Sequence, residues 1–221
     1  MCRLLSLLAA GLFACGTLTA QSPGLAGKIE NDVYTSATNE FSIPVPVLKE
    51  LGGTVTDTEN VVTFTDSYST HISIGCFPQD ALQRWELETR GLRDYLLYFF
   101  TEFVLADFSK RFPGSKIESA RFSPELMDGA IITYALLPGG SYFEPKSATP
   151  VPLEKRVMAK RGTLLFVRNR YVYVLSTELA ERATKREGYE SMPEKENAQL
   201  TARLTELAGR LVFPPPRTRA P

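Results

Sequence analysis

The chain has 221 residues, with 25 lysines and arginines balanced by 25 aspartates and glutamates and a single histidine. A neutral balance supplies no global field for nucleic acid. One imidazole excludes a histidine-built metal centre and leaves little room for a Ser–His–Asp relay.

Residues 1–20 have the three parts of a secretory signal: Arg3, the uncharged apolar run Leu4 to Cys15, and Leu18-Thr19-Ala20 as a cleavage point before Gln21. The run is shorter than the roughly 20 residues that a membrane-spanning helix needs. A second reading takes Leu12-Phe13-Ala14-Cys15-Gly16 as a lipoprotein box, in which Cys15 is lipidated and becomes the new N-terminus. Both readings lead to the expectation of an exported protein: periplasmic, envelope-anchored or extracellular, touching a membrane only through such an anchor. Cys2 and Cys15 both lie in this leader, so Cys76 is left without a partner for an internal disulfide.

Residues 21–32 (QSPGLAGKIEND) lack periodicity and read as a linker; residues 33–213 read as one globular domain. Phe41, Ile43 and Val45 alternate with Ser42, Pro44 and Pro46, and prolines on one face restrict that strand to an edge or a short length. Val47 to Leu51 reads as a helical turn ending at Gly52-Gly53. Strands follow at Thr54 to Thr58, around Val61 to Phe64, and at Ile72 to Cys76, the last two joined through Asp66-Ser67-Tyr68-Ser69.

Asp80 is placed to cap a long helix reaching Arg111, which the spacing of Leu82, Trp85, Leu92, Leu96, Phe99, Phe103 and Phe108 turns toward the core, with a bend expected near Gly91. Strands return at Ile117 to Phe122, Ala130 to Leu137, Leu153 to Lys160, Thr163 to Val167 and Tyr171 to Ser176, the final pair turning at Arg168-Asn169-Arg170. Residues 182–191 read as a charged loop. Pro193 then opens a helix with a Leu200, Leu204, Leu207, Leu211 stripe, and residues 214–221 read as a disordered tail. The fold class is α+β: a mostly antiparallel sheet packed against one long helix and a C-terminal helix.

Chemistry is sparse along this chain. His71 shares its alternation with Ser69 and Ser73 and reads as structural. Cys76 is five residues away, hence on the opposite face of a regular strand, and reads as a buried hydrophobe. Asp57, Glu59 and Asp66 lack calcium-loop spacing and read as turn residues. The basic run Lys155-Arg156…Lys160-Arg161 reads as a solvated sheet face. Tyr95, Tyr98, Phe99, Phe100 and Phe103 exceed a narrow stripe; core packing accounts for them, and a pocket wall is the other reading. No catalytic residue, cofactor site or metal site is expected. The Pro-, Gly- and Ser-rich segment Pro138 to Pro152 is the candidate binding loop, represented by Gly139, Gly140, Ser141, Tyr142 and Phe143.

Phe41-Ser42-Ile43-Pro44, the stretch Asp57 to Phe64 and the closing strand–hairpin–helix resemble the Mog1/PsbP-like group of secreted and lipoprotein domains. The resemblance lies in element order over most of the chain. It implies an accessory or binding role, with a protein partner or an apolar small molecule as ligand, and transfers no functional residue. The rival expectations are a histidine-independent hydrolase acting on envelope material and a purely structural envelope component.

Overall fold

Strands β9 (Met158–Arg168) and β10 (Tyr171–Glu178) each carry an apolar run, Leu164 to Val167 and Val172 to Leu175, that faces both ways and therefore needs cover on both faces. They lie inside a seven-stranded antiparallel sheet of order β4-β5-β6-β10-β9-β8-β7, the other members being β4 (Thr54–Asp57), β5 (Val61–Thr65), β6 (His71–Pro78), β7 (Lys116–Ser123) and β8 (Ala130–Pro138). The computed structural model describes residues 24–144, 156–184, 189–190 and 192–215. Residues 1–23, which include the segment read as a leader with Cys15, the candidate loop beyond Glu144, residues 185–188 and 191 of the segment read as a charged loop, and the segment from residue 216 lie outside these.

One face is covered by α5 (Pro193–Gly209) and by a small antiparallel sheet of order β1-β2-β3 (Lys28–Glu30, Val33–Thr35, Ser42–Pro44). Leu200, Leu204 and Leu207 of α5 meet Ile74, Cys76, Leu164 and Tyr173 there. Burial pushes the Cys76 thiol up to about 12. The other face carries α1 (Ala81–Arg90), α2 (Leu92–Phe99), a π-helical turn at Phe100–Leu105 and α3 (Ala106–Arg111). Tyr95, Leu96, Phe99 and Phe100 pack on Ile131, Leu165, Val172 and Val174. Among the described residues no helix is long and apolar enough to cross a membrane.

Local chemistry explains most boundaries. The Asp80 carboxylate accepts the Gln83 N–H at 2.7 Å and starts α1. Gly91, at φ 77, breaks the predicted helix where a bend was expected, in a backbone region that a side chain disfavours. Asn169 and Arg170 both have positive φ, the two-residue turn whose twist suits a hairpin.

Five local expectations need correction. Residues 28–30, read as part of a linker, form β1: the Asp57 carboxylate accepts the Ala26 and Gly27 N–H groups at 2.8 and 2.7 Å and draws the chain onto the sheet. Leu153–Lys160 and Thr163–Val167, read as two strands, belong within the described residues to one strand, β9. Gly162 is a packing glycine there and not a turn, since a Cβ would lie 3.1 Å from that of Leu200. Residues 182–184, read as loop, complete the short helix α4 (Ala180–Thr184), docked by buried Ala180 and Ala183. Leu82 and Trp85 do not face the core but are 61% and 56% exposed, because α1 changes direction at Gly91. The basic pair Lys160-Arg161 is not a solvated face: Lys160 is fully buried and Arg161 nearly so.

Adjacent strand residues point to opposite faces, and Lys160 points to the α5 side. Its ammonium meets Glu196 at 2.9 Å and Glu118 at 2.5 Å. Arg182 also donates to Glu196 at 2.7 Å, and Tyr189 donates to the same carboxylate. Burial alone would raise the Glu196 pKa, but the hydrogen bonds from Tyr189, Lys160 and Arg182 outweigh it and hold the group at about 2 against an ordinary 4.5. The stability this carboxylate contributes is therefore complete above pH 4.5 and lost as pH falls toward 2. Glu196→Ala should lower the unfolding free energy at pH 7 by about 3 kcal/mol, the scale for breaking a buried pair from one side. A urea titration showing a loss under about 1 kcal/mol would mean that the network contributes no more than a surface ion pair.

Candidate functional site

The helix-facing side of the sheet changes character along its length. Val61, Gly75 and Val174 lie in one row across β5, β6 and β10, next to Phe77. The adjacent row is polar on five consecutive strands: Thr63 opposite Ser73, Ser73 opposite Ser176, Ser176 opposite Thr163, and Thr163 opposite Thr133. Strand register, not sequence proximity, makes this line of hydroxyls. Thr63 and Ser73 approach to 3.3 Å. Thr163 and Thr133 are fully buried, and their hydroxyls have no hydrogen-bond partner among the described residues.

Above the junction of the polar and apolar rows lies a cavity of about 700 Å³. Its floor includes Thr63, Ser73, Gly75, Phe77, Val174 and Ser176, and its roof includes Phe99, Phe103, Val104 and Phe108. The π-helical turn carries Phe103 and Val104; such turns recur at functional sites. The Phe99 and Phe103 rings meet with centroids 4.8 Å apart and planes tilted by 36°, and Phe103 remains 47% exposed. Of the aromatic group read from the sequence, Tyr95 and Phe100 are core, whereas Phe99 and Phe103 line this cavity.

Arg161 lines the polar end, with Arg111 and Asp107 of α3. Arg111 is paired with Asp107 at 3.0 Å. The Arg161 side chain is 14% exposed; it donates from Nη2 to the Gly140 carbonyl at 3.1 Å and stands 3.9 Å from the Glu178 carboxylate. Its Nε is buried and has no hydrogen-bond partner among the described residues. At the other end, the buried Gln83 Oε1 also lacks one among the described residues.

The described residues of the candidate loop, 138–144, do not line the cavity; they close the cluster beside it. Glu178, fully buried, accepts the Ser141 hydroxyl at 2.5 Å and the Tyr142 N–H at 2.9 Å. The Ser141 oxygen accepts the Phe143 N–H at 3.1 Å. The serine is thus engaged both as donor and as acceptor in folding its own loop. His71 stacks on Tyr142, centroids 4.9 Å apart and planes 12° from parallel, with Nδ1 3.8 Å from Glu178. Burial, and then the Arg161 charge, push its pKa down to about 3.

Arg161 and Glu178 are the residues that sequence reasoning missed. Their only signal is a charge beside an apolar run: Arg161 just before Leu164 to Val167 in β9, and Glu178 at the end of β10. Asp66 accepts the N–H groups of Tyr68, Ser69 and Thr70 in its own turn, whereas Asp57 holds those of distant Ala26 and Gly27, and no group of three or more metal-ligating side chains is gathered among the described residues.

These features define a class: an antiparallel sheet covered on both faces, with a two-ended cavity under one helical layer. The chain has a Mog1/PsbP-like fold. The solution structure of cyanobacterial PsbP (CyanoP) from Synechocystis sp. PCC 6803 matches 92% of this chain and 99% of that one, at 12% identity and a TM-score of 0.50. The Saccharomyces cerevisiae Ran-binding protein Mog1p matches over 86% and 96%, at 8% identity and a TM-score of 0.48. No family model and no curated protein matches the chain.

Below pH 6.5 the unfolded chain binds a proton at His71 that the fold refuses, so this residue's stability contribution is complete above 6.5 and falls away toward pH 3. The imidazole resonances of the folded protein should accordingly show no titration between pH 4.5 and 8 by NMR. A midpoint near the ordinary 6.5 would contradict the buried, Arg161-facing environment.

Proposed function

We propose that this chain is a non-catalytic binding protein that takes up an apolar or amphipathic small molecule between α2–α3 and the sheet. The single observation that carries this reading is the cavity itself: about 700 Å³, walled by phenylalanines and bounded by a few polar groups. Small-molecule sites of this size and lining are common in proteins. The accessory role fits the fold, although fold alone assigns no ligand. In this reading residues 1–20 direct export and the protein acts in the periplasm or envelope.

N-phenyl-1-naphthylamine, an uncharged apolar fluorophore, should bind the mature protein with saturable fluorescence enhancement at one probe per chain. Ser176→Phe, which places a ring on the cavity floor, should weaken that binding about tenfold while leaving cooperative unfolding intact. No enhancement with the wild-type chain would remove the cavity from the functional account. For the address, mass spectrometry of the protein from its native cells should find a free N-terminus at Gln21 or a lipidated Cys15. Full-length polypeptide starting at Met1 in the soluble cytosol would overturn export.

A further inference from the structure

The cavity has a charge at one end and rings at the other, and that asymmetry selects among ligands. Glu178 lies opposite Arg161 in the β10–β9 register, and Val172 lies opposite Phe77 in the β10–β6 register. Six residues of β10 separate those positions, so the floor runs about 20 Å from Arg161 to Phe77 at about 3.3 Å per residue.

The charges at the polar end are unequally served. Asp107 is hydrogen-bonded to Arg111 at 3.0 Å. Glu178 is the carboxylate nearest Arg161, but each of its oxygens already accepts a donor of the Ser141–Tyr142 loop, and it stays 3.9 Å away. His71 is neutral above about pH 3 and supplies nothing. Among the described residues Arg161 is left with one carbonyl contact, an Nε without a partner and a position 5.8 Å above the Phe108 ring. Burial drives the guanidinium pKa down despite Glu178, and the like charge of Arg111 acts in the same direction. A buried donor left in this state costs about 1–3 kcal/mol, more when charged, and a ligand oxygen would remove that cost. The neighbouring Ser73 and Ser176 hydroxyls can donate to the same oxygens.

We infer that the ligand is a monocarboxylic amphiphile, its carboxylate held by Arg161 beside the Ser73–Ser176 hydroxyls and its apolar chain lying toward Phe77, Phe99 and Phe103. One under-compensated arginine suits a single negative charge, and the planar guanidinium matches a carboxylate. The inference rests on the cavity being the binding site.

Displacement of N-phenyl-1-naphthylamine from the full mature chain by dodecanoate and by 1-dodecanol, at pH 7.5 and below their micellar or solubility limits, separates the two claims. Dodecanoate should displace the probe about tenfold more effectively than the alcohol, the scale of a charge-assisted hydrogen bond. Arg161→Gln should erase that preference by weakening dodecanoate alone, with dodecanol within about twofold of its wild-type value. Equal displacement by acid and alcohol in the wild-type chain would overturn the headgroup assignment while leaving the cavity reading intact, and this comparison needs no variant to fold. A preference that survives in folded Arg161→Gln would also overturn it. Failure of the probe itself to bind would remove both.

Discussion

Most of this structure follows from a sheet whose central strands have water on neither side. β9 and β10 are buried almost throughout, so α5 and the small sheet must close one face and α2–α3 the other. Every polar group on those two strands then has to be satisfied inside the protein or left as a cost. The two buried cations of β9 show both outcomes on consecutive residues. Lys160, pointing to α5, meets two carboxylates; Arg161, pointing to α3, meets a carbonyl and a carboxylate held at a distance.

The row of hydroxyls from Thr63 to Thr133 belongs to the same constraint. A transverse polar line across five strands interrupts an otherwise apolar face, separating the core under α2 from the smaller one under α3, where Phe108 packs on Ala135, Leu137 and Ala159. The cavity stands at this interruption. Residues that pack a hydrophobic core well would have filled it; serines and threonines leave volume and unmet hydrogen bonds.

The described part of the loop after β8, residues 139–144, is tied to the site without lining the cavity. Its Ser141 and Tyr142 are drawn down onto Glu178, and its Gly140 carbonyl takes one Arg161 N–H. Loop and cavity therefore share Arg161 and the Glu178 field.

Much of the local structure was legible in the residues. Alternation located the strands, Asp80 and Pro193 the starts of helices, Gly91 the break, and Asn169-Arg170 the tight hairpin, because period, capping and turn preference are properties of neighbours along the chain. The same reasoning failed where distant segments decide. Nothing near residues 28–30 reveals that Asp57 will anchor them, and nothing in Lys160-Arg161 distinguishes a solvated pair from two buried cations. Leu82 and Trp85 fit a helical stripe as well as Leu96 does; only the turn of the chain at Gly91 exposes them. The sequence by itself determined the α+β composition and most of the paired strands. The tertiary structure alone decided the cavity, since its floor comes from cross-strand register and its roof from the π-helical offset, bringing residues between 61 and 176 to one place that no local pattern connects.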